Sequence, residues 1–551
     1  MVNRLENIGS LLLFFSGINL LLASFFIVIN QSIEGYILIV SLLLSVVFLY
    51  FITDKGSKEI KDIAINFIIF MLIILGAIKL SIMYYDFSFD GQAYHQEALI
   101  QMKEGWNPLY ETLTTTDQDI WINHYAKGIW YLGVVVYDFT GKIESAKAFN
   151  IILLISTLLI LLGYIQKKIN NWKLTIPISI LMVLSPVVIN QLFTNYNDFF
   201  IGLLIINLIV GYLNFIETSS RKVLINIFIS IILLVNIKFT ALGYALVLTG
   251  IPLFMYILDN YVFKNNKFEW RSKGKLLATT IVLSFIVAVF FVGSSSYVKN
   301  TLTNGHPFYP LAGEGKVDII TSNTPTGLRD LNRLEKLYVS IFSETNNEFD
   351  TEPKTKFPLS ITKEEVAYAA GIDTRIGGFG PLFGFIILMT LCLALVNYRK
   401  IDKRDVWPFG IVMSVIILSI LINPETWWAR YVPQLWLIPF LFVLLIMKNK
   451  IKSYVMYIIL LAYSLNIVII GYESMKSLSD RQSIIEEQLI TLKEYSADQP
   501  LLIELGVFKA NRARLIENGI EFNEVDSIEG CQNVVQLVYS STKACLDKQH
   551  N

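Results

Sequence analysis

Charged residues are scarce in this sequence. Asp, Glu, Lys and Arg make up only 16% of the 551 residues, whereas soluble proteins usually contain roughly a quarter. Acidic and basic residues number 45 each, so the overall charge indicates neither an acidic nor a basic partner. The sequence also lacks a glycine-rich phosphate loop, a Cys/His metal-binding spacing, an internal repeat and a nucleic-acid-binding signature. We therefore expect no nucleic-acid partner, no metal and no other cofactor.

Cysteine is also rare, with three residues in the chain. Cys392 stands in an apolar run, and we expect it to be a core residue. Cys531 and Cys545 lie in the polar C-terminal region, where a disulfide can form if that region is outside the cell. Two cysteines alone do not establish a disulfide, so both states remain open.

Apolar residues are abundant, at 54% of the chain, and the mean hydropathy is +0.54. A helix needs about 20 apolar residues to cross roughly 30 Å of hydrocarbon. The runs that satisfy this length are 9–29, 33–53, 63–84, 146–166, 174–190, 199–217, 223–239, 241–258, 277–296, 380–397, 405–422, 430–447 and 453–471. The first run has no small-residue cleavage site, and we expect it to stay as a spanning helix. The fold predicted is an all-α polytopic membrane protein with about 13 transmembrane helices.

Lys and Arg occur in every alternate loop between these runs, as they do in short cytoplasmic loops. They are Arg4, Lys55, Lys58, Lys61, Lys167, Lys168, Lys173, Arg221, Lys222, Lys264, Lys267, Arg271, Lys273, Lys275, Arg399, Lys400, Lys403, Arg404, Lys448, Lys450 and Lys452. This pattern predicts a cytoplasmic N-terminus and outward-facing loops at 85–145 and 297–379. High Ile, Lys and Asn contents suggest a bacterial source, so we expect a multi-pass protein of a bacterial plasma membrane.

We divide the chain into a multi-spanning domain, 1–471, and an extracytoplasmic C-terminal appendage, 472–551. The appendage has a helical pattern from Ser479 to Tyr495, followed by a short apolar strand, Leu501–Leu505. These two patterns predict a small α/β unit.

The first outer loop contains a polar segment from Asp86 to Tyr110. A helix that begins at Asp90 would place Asp90, Tyr94 and Glu97 on one face, because residues three or four apart are neighbours. We interpret Asp90 as a general base at the membrane surface. The alternative is that Asp90 only caps the helix, which is a common role for Asp.

An aromatic segment, Trp121–Trp130, follows in the same loop and contains His124, Tyr125 and Lys127. We interpret Lys127 as a phosphate contact close to the carboxylate helix. The alternative is an interfacial aromatic belt with a snorkelling lysine.

Two charged residues lie where apolar runs begin or end. Asp198 starts a spanning run, either as a polar group of the site or as a helix cap. Lys238 lies between two apolar runs, where a charge is costly unless it reaches the interface or a counter-charge. The phosphate of an anionic lipid would supply that charge, and snorkelling is the alternative.

The turn 423–431 places two tryptophans, including Trp428, beside Arg430. Tryptophans are ordinary anchors at a membrane interface, whereas the rigid fork of arginine suits a phosphate. A structural Glu425–Arg430 pair is the alternative. The long loop 297–379, which ends with the segment Asp373–Pro381, has the length of a lid or binding loop.

The pattern Asp90-x-x-x-Tyr94-x-x-x-Ala98-x-x-x-Met102, followed by Gly105-Trp106-Asn-Pro108 on the first long outer loop, resembles the GT-C membrane glycosyltransferases. The branch that it resembles contains the bacterial aminoarabinose transferases and the protein O-mannosyltransferases. The stretch Tyr125–Gly128 is similar to a later first-loop motif of that family. The resemblance implies an outward-facing site, a polyprenyl-phosphate sugar donor and Asp90 as the base that deprotonates the acceptor. It also implies an inverting displacement.

We therefore predict a glycosyltransferase that transfers a sugar from a polyprenyl-phosphate donor to a cell-envelope glycan, lipid or protein. Such transfer needs a base at the acceptor hydroxyl and positive charge at the leaving phosphate. We assign catalysis to Asp90 and substrate binding to Tyr94, His95, Glu97, His124, Tyr125, Lys127, Asp198, Lys238, Trp428 and Arg430. The competing interpretations are a transporter or flippase of a lipid-linked glycan and a non-catalytic envelope scaffold.

Overall fold

The computed structural model of the chain describes residues 1–52, 60–258 and 270–547. Four basic residues predicted to be cytoplasmic, Lys55, Lys58, Lys264 and Lys267, lie outside these ranges. Within them, the chain folds into helices and a small C-terminal sheet.

Three helices precede the first long loop, and three shorter helices lie within it. They are α1 (Val2–Val28), α2 (Tyr36–Ile52), α3 (Ile60–Met83), α4 (Gln96–Lys103), α5 (Asp119–His124) and α6 (Gly128–Thr140). Eight helices then lead to the second long loop. They are α7 (Ala148–Ile169), α8 (Trp172–Val183), α9 (Pro186–Gln191), α10 (Asp198–Thr218), α11 (Arg221–Val235), α12 (Phe239–Leu248), α13 (Gly250–Ile257) and α14 (Trp270–Ile286).

Four short helices lie in the second long loop, and four further helices follow it. They are α15 (Lys299–Asn304), α16 (Ile319–Asn323), α17 (Arg333–Phe342), α18 (Lys363–Ala369), α19 (Phe383–Asn397), α20 (Lys403–Leu421), α21 (Ile438–Lys448) and α22 (Tyr454–Ser496).

Nine helical stretches in the described ranges are long and apolar enough to cross a membrane. They are Val2–Val28, Lys61–Met83, Ile143–Ile169, Asp198–Thr218, Phe239–Ile257, Lys273–Val292, Phe383–Lys400, Lys403–Leu421 and Tyr454–Ser496. The chain is therefore a helical membrane protein. The predicted runs at 33–53, 174–190, 223–239 and 430–447 form helices shorter than the nine.

Local sequence explains two of these shorter helices. The run at 174–190 is divided into α8 and α9, because Ser185 caps a new helix whose first residue is Pro186, and proline has no backbone N–H to donate. The run at 430–447 becomes helical only from Pro433. Arg430 consequently lies in the turn that precedes this helix.

Helix α1 lies in the middle of the helical domain and packs against α2, α7 and α11. Small residues allow α7 to approach it closely. The Ser156 hydroxyl donates to the Gly9 carbonyl at 2.7 Å, and a Cβ atom on Gly9 would lie 2.9 Å from the Ser156 carbonyl oxygen. Close packing of this kind is the usual basis of helix association in membranes.

The last spanning helix and the start of the appendage are one continuous helix. α22 has 43 residues, which corresponds to about 65 Å at 1.5 Å per residue. The predicted boundary at 471 falls inside this helix, and the helix predicted from Ser479 to Tyr495 is its second half.

The rest of the appendage is a small α/β unit, as predicted. Its elements are β1 (Leu501–Glu504), α23 (Asn511–Glu517), β2 (Phe522–Glu524), β3 (Val534–Gln536) and β4 (Lys543–Cys545). The strand order is β2-β1-β4-β3, with β1 and β2 parallel and the other pairs antiparallel. Cys531 and Cys545 form a disulfide. Cys392 is only half-buried on α19, so the expectation of a core residue is wrong for this cysteine.

Candidate active site

A cavity of about 370 Å³ lies where the two long loops meet the ends of several helices. We call it the loop-side cavity. It is lined by Asp90, Tyr94, His95, Tyr125, Ala126, Tyr196, Asn197, Asp198, Ile237, Lys238, Phe239, Thr240, Leu311, Lys316, Val317, Asp318, Ile319, Ile320, Asn423, Pro424, Glu425, Arg430 and Tyr431. Seven residues assigned from the sequence are in this lining: Asp90, Tyr94, His95, Tyr125, Asp198, Lys238 and Arg430.

The turn that carries Asp90 is built around a neighbouring aspartate. One carboxylate oxygen of Asp86 accepts hydrogen bonds from the Ser88 N–H at 2.8 Å and from the Ser88 hydroxyl at 2.6 Å. The other oxygen accepts from the Asn195 backbone at 2.6 Å. Gly91 is required here, because a Cβ atom would lie 2.1 Å from this second oxygen. Asp86 therefore joins the first loop to the segment that precedes α10.

A π-helical turn follows this aspartate turn. Residues Gly91–His95 form the π turn, and only then does α4 begin. The Gln96 N–H bonds to the Gly91 carbonyl, which is the wide five-residue spacing of a π-helix. The wide turn shifts the register of the helix. The prediction that Glu97 shares a helix face with Asp90 and Tyr94 is therefore wrong. Tyr94 and His95 line the cavity with Asp90, whereas Glu97 contacts the appendage.

Arg430 lies among three carboxylates. Its Nη1 is 4.0 Å from Oδ2 of Asp90 and 3.4 Å from Oδ2 of Asp198, and its Nε is 3.1 Å from Oδ1 of Asp373. The guanidinium also stacks over the Trp428 ring, 4.1 Å from its centroid. Only 12% of the Arg430 side chain is exposed. Three separate segments therefore meet at this one side chain.

Lys238 lies beside the same centre. Its Nζ donates to Oδ1 of Asp198 at 2.6 Å and lies 4.1 Å from the centroid of the Tyr431 ring. Asp198 bonds both cations, and Asn197, not Asp198, is the N-cap residue of α10. Glu425 accepts a hydrogen bond from the Trp427 indole; the Glu425–Arg430 pair considered above is not among the ion pairs of the described residues.

Burial raises the pKa of Asp90 above the usual range of an aspartate, and the nearby carboxylates of Asp373 and Asp198 raise it further. The charge of Arg430 opposes this shift. About a quarter of the Asp90 side chain remains exposed, at 26%. A cavity carboxylate with a raised pKa is a good candidate for a general base.

Burial shifts the pKa of His95 in the opposite direction to that of Asp90. Its Nδ1 accepts a hydrogen bond from the Trp130 indole N–H at 2.7 Å. Burial lowers the pKa of His95 to about 3. The ring is therefore neutral at physiological pH and can offer hydrogen bonds to a bound molecule, but no charge.

Four residues assigned to substrate binding are absent from the described lining of the cavity. Glu97 pairs with Arg512 of α23, and Nδ1 of His124 lies 2.7 Å from Oδ1 of Asn300. Trp428 is almost fully buried beneath Arg430, and stacks on Trp427. Glu97 and His124 thus have partners in distant segments that their local sequence does not reveal, whereas Trp428 packs within its own turn.

Lys127 is the fourth of these residues. Its ammonium donates to the carbonyls of Asn123 and Tyr125, each at 2.9 Å, and burial lowers its pKa. α5 ends at His124, and Tyr125 is extended, so the chain turns between Tyr125 and Lys127. Tyr125 lines the cavity, whereas Lys127 stabilises the turn.

Other residues of the site were not assigned from the sequence, and three of them carry charge or an aromatic hydroxyl beside the assigned groups. Tyr196 and Lys316 line the cavity, and Asp373 pairs with Arg430. Tyr196 stands two positions before Asp198, and this proximity was a usable signal. Lys316 and Asp373 belong to the second long loop, which we recognised only as a lid or binding loop. Their positions depend on the fold of that loop, and no short motif marks them.

Comparisons with known proteins do not extend this description. No family model, no curated protein and no solved structure matches the chain.

Proposed function

We propose that the protein is a membrane glycosyltransferase that transfers a sugar from a polyprenyl-phosphate donor to a cell-envelope acceptor. The observation that carries this proposal is the position of Asp90 in the loop-side cavity, 4.0 Å from Arg430. A carboxylate base and cations that stabilise a leaving phosphate are what sugar transfer from a lipid phosphate requires. Membrane lipid would surround the helices and the polyprenyl chain.

In the proposed reaction, Asp90 accepts the proton of the acceptor hydroxyl. The acceptor oxygen forms a bond to the anomeric carbon, while the bond from that carbon to the phosphate oxygen breaks. The electron pair of the broken bond leaves with the polyprenyl phosphate. One base suffices for such a single displacement, so we assign no metal and no other cofactor. The inverting outcome comes from the family resemblance.

The leaving phosphate needs positive charge, and the cations of the cavity differ in whether they are already paired with a carboxylate. Lys238 and Arg430 are already paired with Asp198. Lys316 is exposed, lines the same cavity and forms none of the ion pairs found among the described residues. It lies beside Gly315, whose φ of +70° favours glycine. We assign Lys316 to the donor phosphate, together with Lys238 and Arg430.

We also propose about thirteen spans, a cytoplasmic N-terminus and a site on the outer face of a bacterial plasma membrane. The four shorter helices would complete the count. The disulfide between Cys531 and Cys545 supports an extracytoplasmic appendage, because structural disulfides are rare in the cytoplasm.

The direct test uses the purified protein in liposomes that contain a radiolabelled polyprenyl-phosphate sugar. Under our proposal, adding an extract of the cell envelope stimulates transfer of the label. Polyprenyl phosphate is released in an amount equal to the sugar transferred. Translocation of the intact donor without bond cleavage would instead identify a transporter. Neither cleavage nor translocation across a panel of sugars would leave a scaffold as the better interpretation.

A further inference from the structure

The C-terminal appendage contacts the first long loop through a buried arginine of α23. Arg514 is 2% exposed. Its guanidinium donates to the Asp86 carbonyl at 2.5 Å, to Oε1 of Gln92 at 3.2 Å and to Oε1 of Glu144 at 2.9 Å. The arginine, which has several N–H donors in a fixed fork, thus holds three points of the first loop: the turn before Asp90, the π turn and the end of the loop.

These contacts lie on both sides of Asp90. Asp86 is four residues before it and organises the turn through Ser88 and Asn195. Gln92 is two residues after it, within the π turn. A π turn is unfavourable in isolation and persists where its surroundings hold it. Arg514 bonds the backbone before Asp90 and a side chain after it, so it restrains the segment from which the Asp90 side chain projects.

Further contacts extend this interface on both sides. Arg512 binds both carboxylate oxygens of Glu97, with Nη2 at 2.9 Å from Oε1. The Gln92 amide donates to the Tyr539 carbonyl at 3.0 Å. At the end of the loop, the Ile143 N–H donates to Oε1 of Glu517 at 2.7 Å. The appendage therefore contacts the loop before, within and after the π turn.

We propose that the appendage is a positioning element of the active site, and that Arg514 is its principal positioning residue. Among the described residues, none after Tyr431 lines the loop-side cavity. Arg514 therefore acts through the Asp86–Gln92 segment and does not touch substrate. The catalytic part of this inference rests on the proposed function. The structural part, that Arg514 holds the segment in place, does not.

Hydrogen exchange of the full-length protein tests the structural part. We expect Arg514→Met to raise exchange in residues 86–97 by about tenfold or more, because breaking a buried ion pair is strongly destabilising. Exchange in β1 should stay at the wild-type level if the appendage remains folded. The matched control is Lys509→Met, which removes an ion pair to Glu524 within the appendage and should leave 86–97 protected.

A loop-side variant covers the case in which Arg514→Met unfolds the appendage. Glu97→Gln leaves every residue of the appendage unchanged and weakens the contact with Arg512. It should raise exchange in 86–97 while β1 stays protected. If residues 86–97 keep wild-type protection in both variants, the inference is overturned.

Kinetics test the catalytic part. Arg514→Met should lower kcat per folded molecule by about tenfold or more, with the KM for the donor within about twofold of wild type, since small misplacement of a catalytic group is costly. Equal losses from Lys509→Met would contradict a positioning role. If the wild-type protein transfers no sugar, the proposed function fails, and the exchange experiment still decides whether the appendage holds the loop.

Discussion

Nζ of Lys238 lies 2.6 Å from Oδ1 of Asp198, the first residue of α10. The other oxygen of Asp198 lies 3.4 Å from Arg430, so a single carboxylate contacts two cations, and Asp373 supplies a second negative charge to Arg430. The cluster of Lys238, Asp198 and Arg430 is therefore held by ion pairs, and its positive charges are partly compensated. An anionic phosphate bound there would add negative charge to this cluster. Its binding would therefore also need cations outside the cluster.

Removal of the central carboxylate should destabilise the protein. Asp198→Asn leaves Lys238 without its ion-pair partner in a buried site, and breaking such a pair costs about 3–5 kcal/mol. We expect a clear decrease in the thermal unfolding midpoint in detergent. Asp405→Asn is the matched control, because its partner Lys448 is 57% exposed and exposed pairs contribute about 0–1 kcal/mol. Equal midpoints for the two variants would show that Asp198 does not stabilise the cluster.

Lys316 provides a test of phosphate binding. Lys316→Gln should raise the KM for a polyprenyl-phosphate sugar by about two- to fivefold and leave kcat nearly unchanged, since an exposed charge pair contributes up to about 1 kcal/mol. The increase should become smaller at high salt, because salt screens exposed charges. Lys363→Gln, at an exposed lysine of the same long loop, should behave as wild type. An unchanged KM in Lys316→Gln would remove this residue from the donor site.

The contact between appendage and loop should depend on pH. Burial raises the pKa of Glu517 from the ordinary value of 4.5 to about 7. The docked state therefore binds more protons than the undocked state between these values, so docking weakens as the pH rises through this window. Protection from hydrogen exchange near Ile143, relative to the intrinsic exchange rate at each pH, should decrease from pH 5 to pH 8.

Glu517→Gln provides the variant for this pH test. A neutral amide can still accept the hydrogen bond of the Ile143 N–H, and it does not titrate. Protection near Ile143 should therefore stay constant with pH and exceed that of the wild type at pH 8. Glu521→Gln, at an exposed site nearby, should keep the wild-type pH dependence. A wild-type interface that tightens from pH 5 to pH 8 would contradict the sign of this prediction.

Much of the architecture could be predicted from apolar runs. A segment in lipid must satisfy its own backbone hydrogen bonds, so long apolar runs leave little choice but a helix. The short helices were harder to predict, because a single proline such as Pro186 or Pro433 changes where a helix begins. At the predicted boundary α22 contains a glycine, Gly471, but no proline, and the chain remains helical across it.

The site was predictable only in part, for a physical reason. Asp90 stands out as a carboxylate that follows a long apolar run. The π turn after it depends on contacts of Gly91 with Asp86, which helical periodicity does not encode. Glu97 was assigned to the site, but it pairs with Arg512 from 415 positions away in the chain. No local pattern reports such a partner.

The raised pKa of Asp90 predicts how the transfer rate depends on pH. A general base acts only when it is ionised, so kcat/KM should rise with pH through the pKa of Asp90, which lies above the ordinary aspartate range. Asp90→Glu should keep a rising profile with a lower maximum. A rate that falls as pH increases through this range would contradict the assignment of a base.

The most direct test of the central claim is the rate of sugar transfer by Asp90→Asn in liposomes, compared with the wild type at the same folded concentration. Loss of a general base should lower kcat by about 10²- to 10⁴-fold. Donor binding and the thermal midpoint should be retained, because Arg430 keeps its two closer carboxylate partners, Asp198 and Asp373. Asp117→Asn, the same substitution at an exposed site of the first loop, should transfer at the wild-type rate. Full transfer activity in Asp90→Asn would contradict the account.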